Sequence, residues 1–435
     1  MDIFELYQRH PQITTDSRNC PKDSIFIALK GATFDGNKFA SSALEKGCSY
    51  AIIDNPDYAK AGDDRYIVVD DTLTAFKELA REHRRQFHIP VIGITGTNGK
   101  TTTKELISTV LAKRYRVMHT EGNFNNDVGV PKTLMRLTAD DDIAVVEMGA
   151  SHPDDIKRLV EYVEPTCGLI TNVGHAHILG FGSFDGVKKT KGELYDFLAD
   201  HDGLLFLNSS NEDLMDMAEK RNFNRIITYG EDEGAQIKGR VLSCAPFLRF
   251  EWTDTHDALH DTYEVQTKLI GSYNLDNLLA AITVGRHFGV IPGEINAALE
   301  EYTPSNNRSQ LETTKYNHLV VDAYNANPSS MKAALDNFKL MEVDNKMLIL
   351  GDMRELGNTS AEEHQKIVDH LQADGMKPEQ VWLVGEEFGK TDCDFRKFPD
   401  VEAVKAEIKR QRPEGHYILI KGSNGIKLFE LPELL

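Results

Sequence analysis

Cysteine is scarce in this 435-residue sequence, which contains five cysteines and no Cys-x-x-Cys pair. Their positions, 20, 48, 167, 244 and 393, follow neither a metal-ligand spacing nor a framework of pairs. Disulfide scaffolds and zinc sites depend on such spacings, so neither is expected here. The cysteine usage therefore predicts a protein of the reducing cytoplasm.

Long apolar runs and excess positive charge are lacking as well. No run approaches the ~18 residues of a membrane span, so no membrane insertion is expected. The first residues, Met-Asp-Ile-Phe-Glu-Leu, lack the basic segment and apolar core of a signal peptide. With 49 Lys and Arg against 68 Asp and Glu, the formal net charge is −19. Nucleic-acid binders usually carry basic patches, so no nucleic-acid partner is expected, although a local basic pocket for a small anion stays open.

The residues that are present predict an α/β fold. Short apolar runs alternate with helix-like stretches from end to end, and Ile143–Val146 is continuously apolar, which is typical of a parallel strand covered by helices on both faces. Between Gly239 and Leu269 the helix pattern stops, which predicts an antiparallel ribbon. The length fits two to four domains.

Two segments divide the chain into three α/β domains. The basic stretch Arg81–His88 precedes Pro90, which disfavours a continuing helix, and residues 303–309 are rich in turn formers. We therefore predict domains at residues 1–86, 87–306 and 307–435, the central one built on a mainly parallel sheet.

Residues 91–103 have the pattern of a phosphate-binding loop. They read Val-Ile-Gly-Ile-Thr-Gly-Thr-Asn-Gly-Lys-Thr-Thr-Thr, so an apolar strand leads through a glycine turn into a helix that begins with Lys100. Such glycines let backbone N–H groups point at phosphate oxygens, while the lysine bridges the β- and γ-phosphates and the hydroxyl of Thr101 can sit on Mg²⁺. Ile94 breaks the strict Gly-x₄-Gly-Lys-Ser/Thr pattern, so this loop is a variant. The candidate phosphate-binding residues are Gly96, Thr97, Asn98, Gly99, Lys100, Thr101 and Thr102.

ATP is the expected nucleotide, because no Asn-Lys-x-Asp guanine signature, His-Arg-Asp loop or Gly-x-Gly-x-x-Gly fingerprint occurs. Glu147 ends another apolar strand, where a carboxylate beside a phosphate loop can hold Mg²⁺. His175 and His177 follow a third strand. Single loop histidines are usually surface residues, and a pair of them indicates a metal site only weakly. The Lys188–Lys191 segment is, on composition alone, a solvated basic helix face.

Taken together, these motifs resemble the Mur ligases, the ATP-dependent amide-forming enzymes of peptidoglycan assembly. The phosphate loop, Glu147, His177 and Lys191 follow one another as in that family. The segments Thr15–Arg18, Phe26–Gly31 and Asp35-Gly36 are similar to the family's N-terminal UDP-sugar domain. The resemblance covers most of the chain and implies a Rossmann-like third domain.

Further segments resemble one branch of the family, the branch that attaches D-Ala-D-Ala to UDP-N-acetylmuramoyl-tripeptide. A second branch, which adds the third amino acid, usually carries an Asp-Asn-Pro-Arg motif in its last domain, and this motif does not occur here. The segment Lys421-Gly-Ser423, after the last apolar strand, is similar to the C-terminal part of the family's sequences. The segments that resemble the D-Ala-D-Ala-adding branch are Gly122–Pro131, Gly180–Ser183, Asp322–Pro328 and Gly351–Gly357.

The resemblance implies roles for individual residues. Lys100 would contact the phosphates, Thr101 and Glu147 would hold one Mg²⁺, and His177 would hold a second. Lys191 would be carbamylated by CO₂ and so supply an anionic oxygen to the metal. Because Lys188 and Lys189 are close by, which of the three lysines is modified stays open. Lys191 is chosen because Gly-Glu-Leu-Tyr follows it, as in the family. Lys100, Lys191 and His177 are the expected catalytic residues.

The remaining implied contacts concern ATP and the peptide substrate. Asn274 and Asn277 match the family's adenine-side asparagines, and Asn274 also fits a helix cap. Arg308 and Asp322 would reach ATP from the third domain, Asp322 through the ribose. The expected contacts to the UDP end are Ser17, Lys30, Gly31 and Asp35, and those to the muramoyl-peptide are Asn123, Asn125 and Asn126.

The implied reaction is phosphorylation of the tripeptide's terminal carboxylate by ATP, followed by attack of the D-Ala-D-Ala amine. The products would be the pentapeptide, ADP and phosphate, and a monomer is expected. Whether the third residue is meso-diaminopimelate or Lys stays open. Two rivals are a folylpolyglutamate-synthetase-like ligase, which lacks a separate UDP domain, and a regulatory ATPase that makes no product.

Overall fold

The computed structural model describes residues 2–31, 33–176, 178–304 and 310–435. Within these ranges the strands form three sheets, one in each successive part of the chain. Most strand pairs are parallel, and helices alternate with strands throughout. The predicted α/β fold class is confirmed. His177, Arg308 and the predicted boundary between 306 and 307 lie outside the described residues.

The first part holds a parallel sheet in the order β1-β2-β3-β4. Its last helix, α3, follows Asp71, whose carboxylate caps the helix by accepting from the Thr74 N–H. The elements are α1 Ile3–Arg9, β1 Ile13–Thr14, β2 Ile25–Ile27, α2 Ala40–Lys46, β3 Tyr50–Ile53, β4 Tyr66–Val68 and α3 Thr72–Arg85.

The central part is built on a sheet in the order β13-β12-β11-β10-β9-β8-β5-β7-β6, and helices pack on both of its faces. Strands β5 to β11 pair in parallel, whereas β11, β12 and β13 form the predicted antiparallel ribbon. The elements are β5 Val91–Thr95, α4 Lys100–Leu111, β6 Val117–His119, α5 Gly129–Leu134, β7 Ile143–Glu147, α6 Asp155–Val163, β8 Cys167–Ile170, α7 Ile178–Phe181, α8 Phe184–Asp200, β9 Leu204–Asn208, α9 Glu212–Glu219, β10 Ile226–Gly230, β11 Ile237–Cys244, β12 Phe247–Asp254, β13 Thr262–Ile270, α10 Asn274–His287 and α11 Pro292–Glu301.

The third part has a sheet in the order β14-β15-β19-β16-β17-β18, parallel except for β14 against β15. Its elements are β14 Gln310–Thr313, β15 His318–Asp322, α12 Pro328–Leu340, β16 Lys346–Gly351, α13 Ser360–Ala373, β17 Val381–Val384, α14 Glu386–Gly389, β18 Arg396–Phe398, α15 Val401–Arg410 and β19 Tyr417–Lys421. Short 3₁₀ turns occupy Gly36–Phe39, Pro56–Tyr58, Gly357–Thr359, Pro378–Gln380, Asn424–Ile426, Leu428–Glu430 and Pro432–Leu434.

The basic stretch before Pro90 is an interface between the first and central parts. Arg84 is buried, and its guanidinium donates to the carbonyls of Val163 at 2.9 Å and Glu164 at 3.0 Å. Arg81 and Arg85 bind the Glu164 carboxylate at 3.0 and 2.7 Å. These charges therefore hold α3 against the end of α6.

The structure also contains short elements that the sequence patterns did not predict, among them α1 and β1. Both are short, and their apolar residues are too few to establish a period. No helix in the described ranges combines the length and the apolar character needed to cross a membrane.

His83 generates a prediction about the pH dependence of stability. The ring is buried between Tyr7 and Phe87, and its Nε2 lies 2.9 Å from the Leu137 carbonyl. Burial lowers the pKa of His83, so near pH 6 the unfolded chain binds more protons than the folded one. The free energy of unfolding should therefore fall as pH drops below about 6.5.

We expect the melting temperature of His83→Gln, measured by calorimetry, to fall less than that of the wild type when the pH is lowered from about 7.5 to about 5.5. The reason is that the variant lacks the buried imidazole. The control is His201→Gln, which changes an exposed histidine and should retain the wild-type pH dependence. An unchanged dependence in His83→Gln would contradict the assignment.

Candidate active site

The phosphate loop turns sharply between β5 and α4. Gly96 and Gly99 adopt φ angles of +144° and +79°, which side chains rarely tolerate. A Cβ at Gly96 would lie 2.0 Å from Thr171 Oγ1, and one at Gly99 would lie 2.6 Å from Asn277 Oδ1. The turn therefore requires glycine at both positions.

The segment after β8 braces this loop. The Thr97 N–H donates to the Asn172 carbonyl at 2.9 Å, and the Asn98 N–H donates to Asn172 Oδ1 at 3.0 Å. Thr171 Oγ1 donates to the Asn98 carbonyl at 2.6 Å. Thr171 and Asn172 were not predicted as site residues, although His177 of the same segment was. The available signal was their place at the carboxyl end of a strand that could neighbour β5.

Lys100 bends back over the loop. Its ammonium donates to the carbonyls of Gly96 at 2.9 Å and Thr97 at 3.0 Å. The N-terminus of α4 begins at the same residue, so the backbone N–H groups of its first turn and the ammonium lie together. This arrangement presents positive charge where a phosphate chain would lie.

Glu147 and Thr101, to which the resemblance assigns a shared metal, are in direct contact. Both are buried, and Thr101 Oγ1 donates to Glu147 Oε2 at 2.9 Å. Asn125 Nδ2 donates to the other oxygen, Oε1, at 2.8 Å. The Glu147 N–H is bound by Thr120 Oγ1 at 3.0 Å. The carboxylate is thus held in a fixed orientation.

The donor chemistry of this pair fits magnesium. Among the residues that the structure describes, no group of three or more His, Cys, Asp or Glu side chains could hold a metal ion. Magnesium, however, usually takes one or two protein oxygens and completes its shell with water and substrate phosphates. A hydroxyl and a carboxylate beside a phosphate loop meet that requirement.

Lys191 is the buried member of the lysine segment on α8. Only 2% of it is exposed, and Nζ lies 3.5 Å from the Ala150 carbonyl. Burial lowers the pKa of Lys191 well below its usual value, and the charge of Lys100 lowers it further, while neighbouring carboxylates act in the opposite direction. By contrast, Lys189 is exposed and Lys188 Nζ pairs with Asp213 Oδ1 at 2.5 Å. The solvated-face interpretation is therefore wrong for Lys191.

Asn274 and Asn277 form a buried polar chain at the start of α10. Asn277 Nδ2 donates to Asn274 Oδ1 at 2.9 Å, and Asn277 Oδ1 accepts from Thr103 Oγ1 at 2.9 Å. The prediction that Asn274 caps the helix is wrong. Tyr273 occupies the N-cap position, and Asn274 lies inside the first turn with Nδ2 donating to the Ile270 carbonyl at 2.8 Å.

Asp322, at the end of β15, is paired across the sheet of the third part. Lys421 Nζ donates to Asp322 Oδ2 at 2.5 Å, and Lys421 is almost fully buried. Because β15 and β19 are parallel neighbours, their carboxyl ends meet at one edge. Lys421 was not among the predicted site residues, although its position at a strand end was a signal.

A cavity of about 770 Å³ lies between the central and third parts. Arg158, Tyr324 and Lys421 also line it, although the sequence reasoning did not select them. The predicted residues that line the cavity are Thr97, Asn98, Gly99, Lys100, Thr101, Thr102, Asn123, Asn125, Asn126, Glu147, Asn274, Asn277 and Asp322. The loop of Gly96 adjoins it, and Lys191 lies behind its Ala150 wall.

The predicted UDP contacts lie apart from this cavity, in the first part of the chain. Lys30 Nζ pairs with Asp54 Oδ1 at 2.7 Å, and Asp35 Oδ1 accepts from the Asn37 N–H at 3.0 Å. Gly31 N–H donates to the Phe34 carbonyl at 2.9 Å. The Ser17 carbonyl accepts from Lys46 Nζ at 2.8 Å. These contacts are internal to the first part, and the site predictions for His177 and Arg308 lie outside the described residues.

Three family models match successive parts of the chain. Residues 11–84 match "Mur ligase family, catalytic domain", residues 94–285 match "Mur ligase middle domain" and residues 307–424 match "Mur ligase, glutamate ligase domain".

Curated relatives match over nearly their whole length. The UDP-N-acetylmuramoyl-tripeptide–D-alanyl-D-alanine ligase of Bacillus subtilis is 32% identical, covering 96% of this chain and 92% of that protein. The ligase of the same name from Escherichia coli K12 is also 32% identical, covering 97% and 93%.

Two solved structures are similar to this one over nearly the whole chain. A crystal structure of MurF from Acinetobacter baumannii superposes with a TM-score of 0.86 at 27% identity, covering 98% of this chain and 96% of that one. MurF ligase from Thermotoga maritima, solved in complex with ADP, shares the fold with a TM-score of 0.85 at 24% identity, covering 97% and 96%. With relatives that are 32% identical over more than nine-tenths of both sequences, the chain belongs to the Mur ligase family.

Proposed function

We propose that this chain uses ATP to join D-Ala-D-Ala to UDP-N-acetylmuramoyl-tripeptide in peptidoglycan synthesis. The relatives from B. subtilis and E. coli are named as this ligase, and the alignment covers more than nine-tenths of each of them. The observation that carries the proposal is the phosphate loop, with Lys100 and the Thr101–Glu147 pair opening into one cavity beside the third part. ADP is present in the T. maritima relative.

The reaction requires activation of a carboxylate. Oxide is a poor leaving group, so a free carboxylate resists attack by an amine. Transfer of the γ-phosphoryl group from ATP to the carboxylate oxygen forms an acyl phosphate and releases ADP. The dipeptide amine then attacks the carbonyl carbon, the C–O bond to phosphate breaks, and the amine loses a proton.

The chain's contribution to the first step is charge compensation and alignment. An anionic carboxylate approaching a triphosphate meets strong repulsion, which fixed positive groups offset. Lys100 and the loop N–H groups supply this charge at the phosphates. The second step needs the acyl phosphate kept from water, which a cavity between two parts of the chain favours.

Magnesium is the metal that this donor set fits. Thr101 and Glu147 would hold one ion, and Asn125 would orient the carboxylate through its bond to Oε1. The resemblance assigns a second ion to His177. Bound Mg²⁺ would neutralise phosphate charge and align the reacting oxygens.

Lys191 suits the carbamate that the resemblance implies. Addition to CO₂ requires the uncharged amine, and the burial of Lys191 favours that form. The new N–C bond releases one proton and leaves an anionic oxygen, which is a magnesium ligand type. An ammonium at this position would instead repel the metal.

The other predicted residues complete the assignment. Asn274 and Asn277 would face adenine, and Arg308 and Asp322 would approach ATP from the third part, Asp322 now with Lys421 as its partner. Ser17, Lys30, Gly31 and Asp35 would bind the UDP end, and Asn123, Asn125 and Asn126 the muramoyl-peptide. Domains 1–86, 87–306 and 307–435 would thus bind UDP, phosphates with metal, and the dipeptide with part of ATP. We further propose a monomer acting in the cytoplasm.

A nucleotide-release assay tests the function. We expect ADP and phosphate to form when both UDP-N-acetylmuramoyl-tripeptide and D-Ala-D-Ala are present, because acyl transfer completes each turnover. Folate with glutamate, and buffer alone, are the comparison reactions. Equal rates in all three would reject the ligase assignment, and turnover with folate and glutamate would favour the rival ligase.

Gly96→Ala tests the phosphate loop. The added Cβ meets Thr171 at a φ that disfavours side chains, so the loop must shift, and we expect ADP affinity to fall at least about tenfold by calorimetry. The matched control is Gly62→Ala, which has φ +78° but open space around its Cβ. It should bind ADP as the wild type does, with a stability cost of roughly 1–2 kcal/mol. Wild-type ADP affinity in Gly96→Ala would contradict the proposed cradle.

Lys191→Ala tests the carbamate. We expect kcat to fall about 100-fold or more because a metal oxygen is lost, and acetate to restore part of it. In the wild type, ¹³C-bicarbonate should give a carbamate signal by ¹³C NMR that the variant lacks. Lys189→Ala, on the exposed side of the same helix, should retain both activity and signal. Near-normal activity in Lys191→Ala would reject the role.

A further inference from the structure

Asn327 is a direct contact between the third part of the chain and the phosphate loop. It precedes α12, and only 4% of it is exposed. Its Nδ2 donates to Asn98 Oδ1 at 2.8 Å, although the two residues are far apart in sequence. Asn98 lies between the two glycines that turn the loop.

The helix cap fixes the direction of this bond. Asn327 Oδ1 accepts from the Ser330 N–H at 2.9 Å, and the Asn327 N–H donates to Ser330 Oγ at 3.1 Å. An amide has one oxygen and one nitrogen, so the cap leaves Nδ2 facing the central part. Asn98 must therefore present its oxygen, which sets the orientation of its side chain.

The backbone and the side chain of Asn98 are thus both held by hydrogen bonds. Its backbone N–H and carbonyl are held by Asn172 and Thr171, within the central part. Its side chain is held by Asn327, from the third part. The conformation of the loop thus depends on the position of the third part as well as on its own sheet.

We propose that Asn327 is a positioning residue that couples the third domain to nucleotide binding through Asn98. When the third domain is docked, the bond holds the loop in the form that accepts phosphates. Because coupling free energy is reciprocal, a nucleotide in the loop in turn stabilises the docked third domain. This inference rests on the proposed function in requiring a nucleotide at the loop.

The test uses Asn327→Ser in the full chain, with ADP as the probe. Serine retains good N-cap character, so α12 is preserved, but it cannot reach Asn98. Loss of one hydrogen bond predicts an ADP affinity about fivefold to tenfold weaker by calorimetry. An unchanged melting temperature verifies that the fold is intact.

A double-mutant cycle identifies the route of the effect. In an Asn98→Ala background the partner is already missing, so Asn327→Ser should cause no further loss of ADP affinity. An equal loss in both backgrounds, or no loss in either, overturns the proposal.

Asn337→Ser is the matched control on the same helix. Asn337 Oδ1 accepts from the Ser272 N–H at 3.2 Å, which is also a contact to the central part but one that does not involve the phosphate loop. We expect this variant to bind ADP as the wild type does. A loss equal to that of Asn327→Ser would assign the effect to docking in general and overturn the specific route.

The outcomes separate this inference from the proposed function. A wild-type chain that binds no ADP overturns both. Wild-type binding with equal affinity in Asn327→Ser overturns the coupling alone.

Discussion

The contact between Thr101 and Glu147 is the constraint on which the rest of the site depends. Thr101 is the second residue of α4, the helix that follows β5, and Glu147 ends β7; the two strands are parallel neighbours. Their carboxyl ends therefore meet, which brings a hydroxyl within 2.9 Å of a carboxylate. The glycine turn, Lys100 and Asn125 are all arranged around this pair. Moving either strand by one register position would separate the metal donors from the phosphate loop.

A strongly acidic chain can still bind a triphosphate because the relevant charge is local. The net charge is −19, yet the helix N-terminus and Lys100 lie together at the loop, and Arg158 and Lys421 line the same cavity. These positive groups act on a bound phosphate at close range, whereas salt screens the negative charges spread over the distant surface. Lys191 shows a local effect of the same kind, since its burial first, and the neighbouring charge of Lys100 second, disfavour its protonated form.

Local sequence patterns predicted the features that depend on neighbouring residues. The phosphate loop, the Glu147 strand end and the antiparallel ribbon each lie within one continuous segment, and the structure contains all three. Pairings between particular residues of distant segments were not predicted. Asp322 and Lys421 pair across 99 residues, and Asn98 contacts a helix cap from another part of the chain.

The sequence also could not reveal that Tyr273 takes the cap position and leaves Asn274 for the buried chain with Asn277, because a cap and a first-turn residue differ by one position. Lys188, Lys189 and Lys191 differ only in the face of α8 that they occupy, which packing decides.

The most direct measurement of the central claim follows oxygen through the reaction. UDP-N-acetylmuramoyl-tripeptide labelled with oxygen-18 in its terminal carboxylate would be turned over with ATP and D-Ala-D-Ala, and the released phosphate analysed by mass spectrometry. If the carboxylate attacks the γ-phosphate held at the Lys100 loop, the phosphate gains one labelled oxygen from the peptide. Phosphate without the label would contradict the account, because the carboxylate would then never have been bonded to phosphorus.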